Sequence, residues 1–374
     1  MSSTNPFTTY TNLSCASVDT EILFATDDFF AVAENFLKPE PPRFDPDTFT
    51  EFGKEMDGWE TRRKRTEGHD WCIIKLGLPG TIKGFEVDTG FFTGNQVPGI
   101  SIQGACLVEA LPLVRRSELG TACTQAELSA AEAVGSHGWE ELVSYTPLAP
   151  GYEYSRYHYI ASSNSTQRFT HIRVNSYPDG GIARLRTFGL VSKDWSTIAA
   201  DEIVDLAHVK NGGRAVSFSN AHYGHPRNLI APGRSLTMAG GWETARNPDR
   251  PKVYVRDLNT KQLVIPGKHW AILSLGHSGK VSEIEIDTHL FKGNFPESAL
   301  IEGANIAPSD SVLAESNSDD LQWFTLVART KLGPDAQVTF SVNEKSRHMK
   351  VTHLRVTMYP DGGISRIRCL GHIA

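Results

Sequence analysis

The sequence predicts an all-β protein made of two β-sandwich domains in tandem, and three observations lead there. Residues 170–189, THIRVNSYPDGGIARLRTFG, return 182 positions later as THLRVTMYPDGGISRIRCLG, with 13 of 20 positions identical. Chance does not produce such a match, so the chain is two copies of one unit. Short stretches of alternating apolar and polar residues are separated by turn residues at irregular spacing, the pattern of an antiparallel sandwich or jelly roll. Helical periodicity is nearly missing: residues 121–134, TACTQAELSAAEAV, are the one convincing helical window of the first copy.

In chain order, EILFATDDFF (21–30) opens the first copy and AVSFSNAHY (215–223) the second. Ile22 and Phe24 match Val216 and Phe218 at a separation of 194, whereas Asn35 matches Asn228 at 193, so a one-residue gap is expected between them. Residues 40–55, rich in proline and charge, read as loop. GWET recurs at 58–61 and 241–244, and the Trp71 strand recurs at Trp270 with the separation changed from 183 to 199. That change marks an insertion at about 254–268 of the second copy, expected in a surface loop. IKGFEVDTGFFTGN (82–95) and VSEIEIDTHLFKGN (281–294) each read as a strand running into a Gly-Asn loop. In the 170–189 segment, Ile172 and Val174 alternate with His171 and Arg173. Pro178 and the following glycines supply a turn, and the segment reads as a β-hairpin. Domains are expected at 1–191 and 201–374, joined by a linker at 192–200.

A net charge of −6 and a pI near 6.1 give no reason to expect nucleic acid or an anionic membrane as partner. No apolar run approaches the ~20 residues of a membrane helix, and the N-terminal residues lack the pattern of a signal peptide. Five widely spaced cysteines point to free thiols in a reducing compartment. A cytoplasmic location is expected, and composition is also compatible with a peroxisomal one.

The duplicated GWET and YPDGG blocks, with GWETRR, Asp70-Trp71 and DTGFFTGN between them, resemble the allantoicase family over almost the whole chain, from about Leu13 to Gly371. The resemblance implies a pair of jelly-roll domains related to galactose-binding and discoidin-type modules. It implies hydrolysis of allantoate to ureidoglycolate and urea in purine catabolism, and a homo-oligomer is expected. The second copy departs from the family pattern at Gly240, where an aspartate is usual, and at Ala245, where a basic residue is usual. The two copies are therefore not equivalent. A non-catalytic tandem lectin-like module is the competing reading.

Allantoate carries a carboxylate and two ureido groups on one carbon. Its cleavage needs a cation for the carboxylate, a proton for the departing urea and an activated water. Glu60, Asp28 and His171 are the candidate acid or base groups. Arg62 and Arg63 are candidates for the carboxylate clamp, with Trp59, Asn35, Asp88, Asn95, Glu243 and Arg246 as further substrate contacts. Each has a structural alternative. Trp59 can be core and Glu60 can pair with an arginine of its own chain. Asp88 can cap a turn, and His171 can be a satisfied histidine at an interface. No Cys/His cluster has zinc-finger spacing, and a divalent ion held loosely on carboxylates is the remaining metal expectation. On charge, the first copy is the better equipped.

Overall fold

The structure, a computed structural model, describes residues 4–307 and 321–374. It divides into two compact units, residues 1–192 and 193–374, and each contains one eight-stranded antiparallel sheet folded over on itself. All five cysteines are free.

In the first unit the fold turns on one 19-residue strand, Asp70–Asp88. Its first half pairs with Glu21–Ala25 on one side and Arg168–Tyr177 on the other. Its second half pairs with Tyr157–Ala161 and Arg184–Val191. The register with Arg168–Tyr177 jumps from Gly80 to Lys75, so residues 76–79 form the bend that carries the strand from one layer to the other. Gly99–Ala105 and Glu140–Pro147 extend the first layer, and Thr11–Asn12 closes the second. Ile74, Leu76, Phe85, Val87, Ile102, Ile172, Val174 and Leu185 are all buried, and each such side chain contributes roughly 1.5–3 kcal/mol relative to exposure.

The second unit repeats this design. His269–Asp287 is again 19 residues long, pairing with Arg214–Phe218, Lys350–Tyr359, Gln337–Ser341 and Arg366–Ile373. The insertion at about 254–268 forms a small ribbon of Val255–Arg256 against Leu263–Val264, with Val255 and Val264 exposed.

Two sequence expectations are corrected. The repeated segment is an arch and not a hairpin. Arg168–Tyr177 pairs with the first half of the long strand and with Gly99–Ala105. Arg184–Val191 pairs with its second half and with Thr11–Asn12, and the two never pair with each other. Between them Gly181–Ile182 pairs with Trp59–Glu60, so the turn residues are spent on a second, small sheet at the end of the sandwich. The opening strands are also equivalent at 193, not 194. Glu21 lies opposite Lys75 and Arg214 opposite Ser274, 199 positions apart like the rest of the long strand. Both copies carry a bulge at this point, and the bulge shifted the apolar pattern by one.

The face bearing His171 and Arg173 is not open either. Helix Gln125–Ala133, started by a Thr124–Glu127 capping box, lies over it, with Leu128, Ala131 and Trp139 packed against Phe24, Trp71 and Ile73.

Candidate active site

The motifs GWET and YPDGG recur together because they are bonded to each other. Thr61 N donates to Gly180 O at 3.2 Å and Gly180 N donates to Thr61 Oγ1 at 3.0 Å; Thr244 and Gly362 make the same exchange in the second unit. Asp179 Oδ2 accepts from Lys64 N, as Asp361 Oδ2 does from Asn247 N, so both aspartates fix loops. Gly180 has φ +123°, and a Cβ on Gly181 would stand 2.0 Å from the Phe92 ring, so neither position accepts a side chain. Trp59 is fully buried and donates from Nε1 to Asp27 O at 2.8 Å. It is a core residue that holds its neighbour Glu60 in place.

Glu60 lies at the base of an open cavity of about 330 Å³ lined by Phe30, Phe44, Lys54, Met56, Glu60, Phe91, Thr93 and Asn95. The residue is 8% exposed. Asn95 Nδ2 donates to Glu60 Oε1 at 2.6 Å, and no cation pairs with this carboxylate among the described residues. Burial therefore pushes its pKa up to about 7, against the Asn95 hydrogen bond, which lowers it. A carboxyl poised near neutrality can both give and take a proton.

Lys54 supplies the positive charge of this cavity. It comes from a small hairpin, Phe49–Thr50 against Gly53–Lys54, inside the stretch that the sequence presents as loop. Its ammonium lies over the Phe44 and Phe49 rings at 5.6 and 5.4 Å, and no carboxylate pairs with it among the described residues. Phe44 stacks on Phe91 at 5.6 Å, and Phe91 holds the left-handed conformation with φ 70°. Such non-glycine strain is characteristic of ligand sites. Neither Lys54 nor Phe44 could be found by matching the copies. The segment between Pro39 and Gly58 is ten residues longer than that between Pro232 and Gly241, so the second copy has no counterpart to either.

The other candidates are placed elsewhere. Arg62 is committed to Asp27, with Nε 2.8 Å from Oδ2, and lies over the Phe29 ring at 4.6 Å. Arg63 is exposed and has no ion-pair partner among the described residues. Asp28 binds Arg115 in a fork at 2.5 and 2.9 Å and accepts from Ala33 N. Arg115 also holds Glu34, so Asp28 belongs to a charge network and does not line the Glu60 cavity. Asp88 is buried, caps Gly90 N at 2.7 Å and takes a bidentate bond from Arg156; it is the turn cap. Asn35 sits half-buried in the short helix Ala33–Leu37. Asn228, its counterpart, binds the carbonyls of Ala239 and Gly241.

His171 lies six residues before Tyr177 on its strand, about 20 Å from the Glu60 end at ~3.3 Å per residue. Burial, reinforced by Lys75, pushes its pKa down to about 4, and Nδ1 is engaged by Thr170 Oγ1 at 2.8 Å. It is a neutral, buried histidine that the structure does not bring to Glu60. In the second unit Glu243 is bonded to Asn294, and Arg246 is exposed.

No group of three or more His, Cys, Asp or Glu side chains is arranged to hold a metal among the described residues. The Glu60 cavity offers one carboxylate beside an ammonium. That donor set does not suit a divalent ion.

Residues 11–192 and 204–374 each match the allantoicase repeat family. A Pseudomonas syringae pv. syringae (strain B728a) protein described as "Probable allantoicase" is 39% identical over 370 residues, covering 99% of this chain and 98% of its own. A protein from Pseudomonas fluorescens (strain SBW25) with the same description is 39% identical over 369 residues, with the same coverage. The crystal structure of allantoicase from Saccharomyces cerevisiae superposes with a TM-score of 0.71 at 30% identity, covering 97% of this chain and 93% of that one. With both repeats matched, the relatives aligned end to end and the fold shared, the chain belongs to the allantoicase family.

Proposed function

We propose that this protein hydrolyses allantoate to ureidoglycolate and urea, an amidine-type C–N cleavage in purine degradation, and that the Glu60 cavity of the first unit is the active site. The observation that carries this is Glu60 itself: a carboxyl held by one amide, unpaired with any cation, with its pKa near 7 in a cavity that also presents a free ammonium.

Lys54 receives the substrate carboxylate in a charge-assisted bond. The protonated Glu60 gives its proton to the nitrogen of the departing ureido group. The C–N bond breaks with its electron pair going to that nitrogen, and the lone pair of the remaining ureido nitrogen stabilises the carbon. Water adds to this carbon and returns a proton to Glu60. The sum is allantoate plus water giving ureidoglycolate plus urea, with Glu60 restored. The Asn95 amide fixes the Glu60 rotamer, and its own oxygen is available to a ureido N–H. Phe30, Phe44 and Phe91 limit bulk water around the charges, which strengthens both interactions. The lectin-like alternative is not favoured by any contact in this cavity.

The reading takes a small-molecule substrate as the partner and extends to a cytoplasmic homo-oligomer without nucleic-acid or membrane partners. No helix among the described residues is long and apolar enough to cross a membrane. Urea release by the purified chain from allantoate is the direct test. A folded chain that releases none would refute the proposal.

A further inference from the structure

Each unit carries one insertion that the other lacks, and the two insertions are opposite in charge. In the first unit the segment between Pro39 and Gly58 is ten residues longer than its counterpart. Residues 40–56 hold five carboxylates, Glu40, Asp45, Asp47, Glu51 and Glu55, against the cations Arg43 and Lys54, and all of them are exposed. In the second unit the insertion is the ribbon of Val255–Arg256 against Leu263–Val264. Residues 251–268 hold four exposed cations, Lys252, Arg256, Lys261 and Lys268, against one carboxylate. That carboxylate, Asp257, is spent on its own turn, where it accepts from Asn259 N and Thr260 N. None of the exposed charges on either insertion makes an ion pair among the described residues.

Both insertions also leave apolar side chains in water. Phe49 is 64% exposed, and in the ribbon Val253, Val255, Leu258 and Val264 are all more than half exposed. Val255 and Val264 lie directly opposite each other across the ladder. A two-stranded ribbon is marginal by itself, and an exposed apolar strip rimmed by charge marks an interface. The first insertion offers a place for it. Across Phe44 from the Glu60 cavity it walls a groove of about 490 Å³ that presents Asp45 and Glu55. The complement of the basic ribbon is thus carried by the same chain, and a second copy is the partner that fits.

We propose that the ribbon of one copy docks on residues 40–56 of a second copy and covers the mouth of its Glu60 cavity. The cations of the ribbon meet the carboxylates around the groove, and Val255 and Val264 meet Phe49. The contact joins unlike surfaces, so every chain can give one and receive one. Its effect on the substrate rests on the Glu60 reading; the contact between copies does not.

Sedimentation velocity of the full chain tests this. Wild type should associate, and less so as salt rises, because exposed charges are screened. Glu51→Lys/Glu55→Lys and Lys252→Glu/Arg256→Glu should each weaken association about a hundred-fold or more, since like charges then face each other. Mixing the two variants should restore association, and so should both reversals in one chain. All four side chains are exposed, so near-ultraviolet circular dichroism should match wild type, and rescue on mixing separates lost contact from misfolding. kcat/KM for allantoate should fall with dissociation and return on mixing. A wild type that stays monomeric leaves the ribbon to a partner of another kind and overturns the proposal. Variants that sediment like wild type, or a mixture that stays dissociated, overturn it as well. Reassembly with kcat/KM unchanged throughout overturns the covered cavity. A wild-type chain that releases no urea, while the mixed variants reassemble, refutes hydrolysis and leaves the contact standing.

Discussion

The proposed acid–base group of the cavity is set by what is missing around it. Glu60 has an amide and three aromatic rings as neighbours and no guanidinium, so burial wins and its pKa rises from 4.5 to about 7. If its acid form delivers the proton to urea, kcat/KM should be flat below about pH 7 and fall tenfold per pH unit above it. Glu60→Gln should lower kcat by roughly 10²–10⁴ and abolish that limb; an unchanged limb in the variant would assign the titration elsewhere. Stability carries the same signature. A raised carboxyl pKa favours the folded state fully below the unfolded value and loses that contribution as pH climbs through the folded value. The thermal advantage of Glu60→Gln over wild type should thus open between about pH 4.5 and 7, to at most about 3 kcal/mol. At the proposed carboxylate clamp the structure points to a different residue from the one the sequence offered. Glu60 and Asn95 were legible because both copies keep them. GWETRR also offered two arginines, but Asp27 takes Arg62, and Lys54 lies in a loop with no second copy to compare. Lys54→Ala should raise KM for allantoate about ten- to a hundred-fold. Arg62→Ala should act mainly on stability, because it strands the Asp27 carboxyl, whose pKa burial already pushes up. If Arg62→Ala instead raises KM and Lys54→Ala does not, the clamp is Arg62.

At the scale of elements, the repeat revealed which strands exist but not which ones pair. The alternation in THIRV is real, and Ile172 and Val174 do enter the sandwich. Turn chemistry alone does not distinguish a hairpin from an arch, because both need the same Pro and Gly residues. What separates them is the partner of Gly181–Ile182, which lies some 120 residues upstream at Trp59–Glu60. The helix was legible as the helical window at 121–134, whereas the burial of His171 and Arg173 beneath it was not, since strand periodicity says nothing of what covers the outer face. The 49–54 hairpin has few apolar residues and reads as loop, yet it provides the cation. Shortening the segment between Glu40 and Asp57 by ten residues, to the length found in the second unit, should remove Phe44 and Lys54 from the cavity. The sandwich should remain folded, because the eight-stranded sheet takes no strand from this segment and the only ladder lost is the small 49–54 hairpin. Loss of urea release with an intact near-ultraviolet spectrum is the expected result. Retained activity would move the site away from the cavity.

Across the whole molecule, the two copies have parted at positions that were visible as departures in the sequence, and Gly240 is the clearest. Its counterpart Asp57 accepts from the buried Arg184 at 2.6 Å and also pairs with Lys38. Arg366, the counterpart of Arg184, donates to the carbonyls of Gly233, Gly240 and Ser365 and has no carboxylate among the described residues. Burial holds its guanidinium well below the ordinary range, the mark of a cation that costs the fold something to keep. Placing an aspartate at 240 should supply the missing acceptor. A Cβ there would stand 2.1 Å from Ser235 Oγ and 3.3 Å from Ser235 Cβ, so Ser235→Ala must accompany it. The φ of Gly240 lies outside the glycine-only range, and the backbone accepts the change. A charge-assisted bond to a guanidinium is worth roughly 1.5–3 kcal/mol, about ten- to a hundred-fold in the opening equilibrium of the unit. Amide exchange along Arg366–Ile373 should slow by that factor in Ser235→Ala/Gly240→Asp, while exchange along Arg184–Val191 stays as in wild type. Equal slowing in both strands would mean that the two units do not open independently. No slowing in either would mean that the backbone carbonyls already satisfy Arg366.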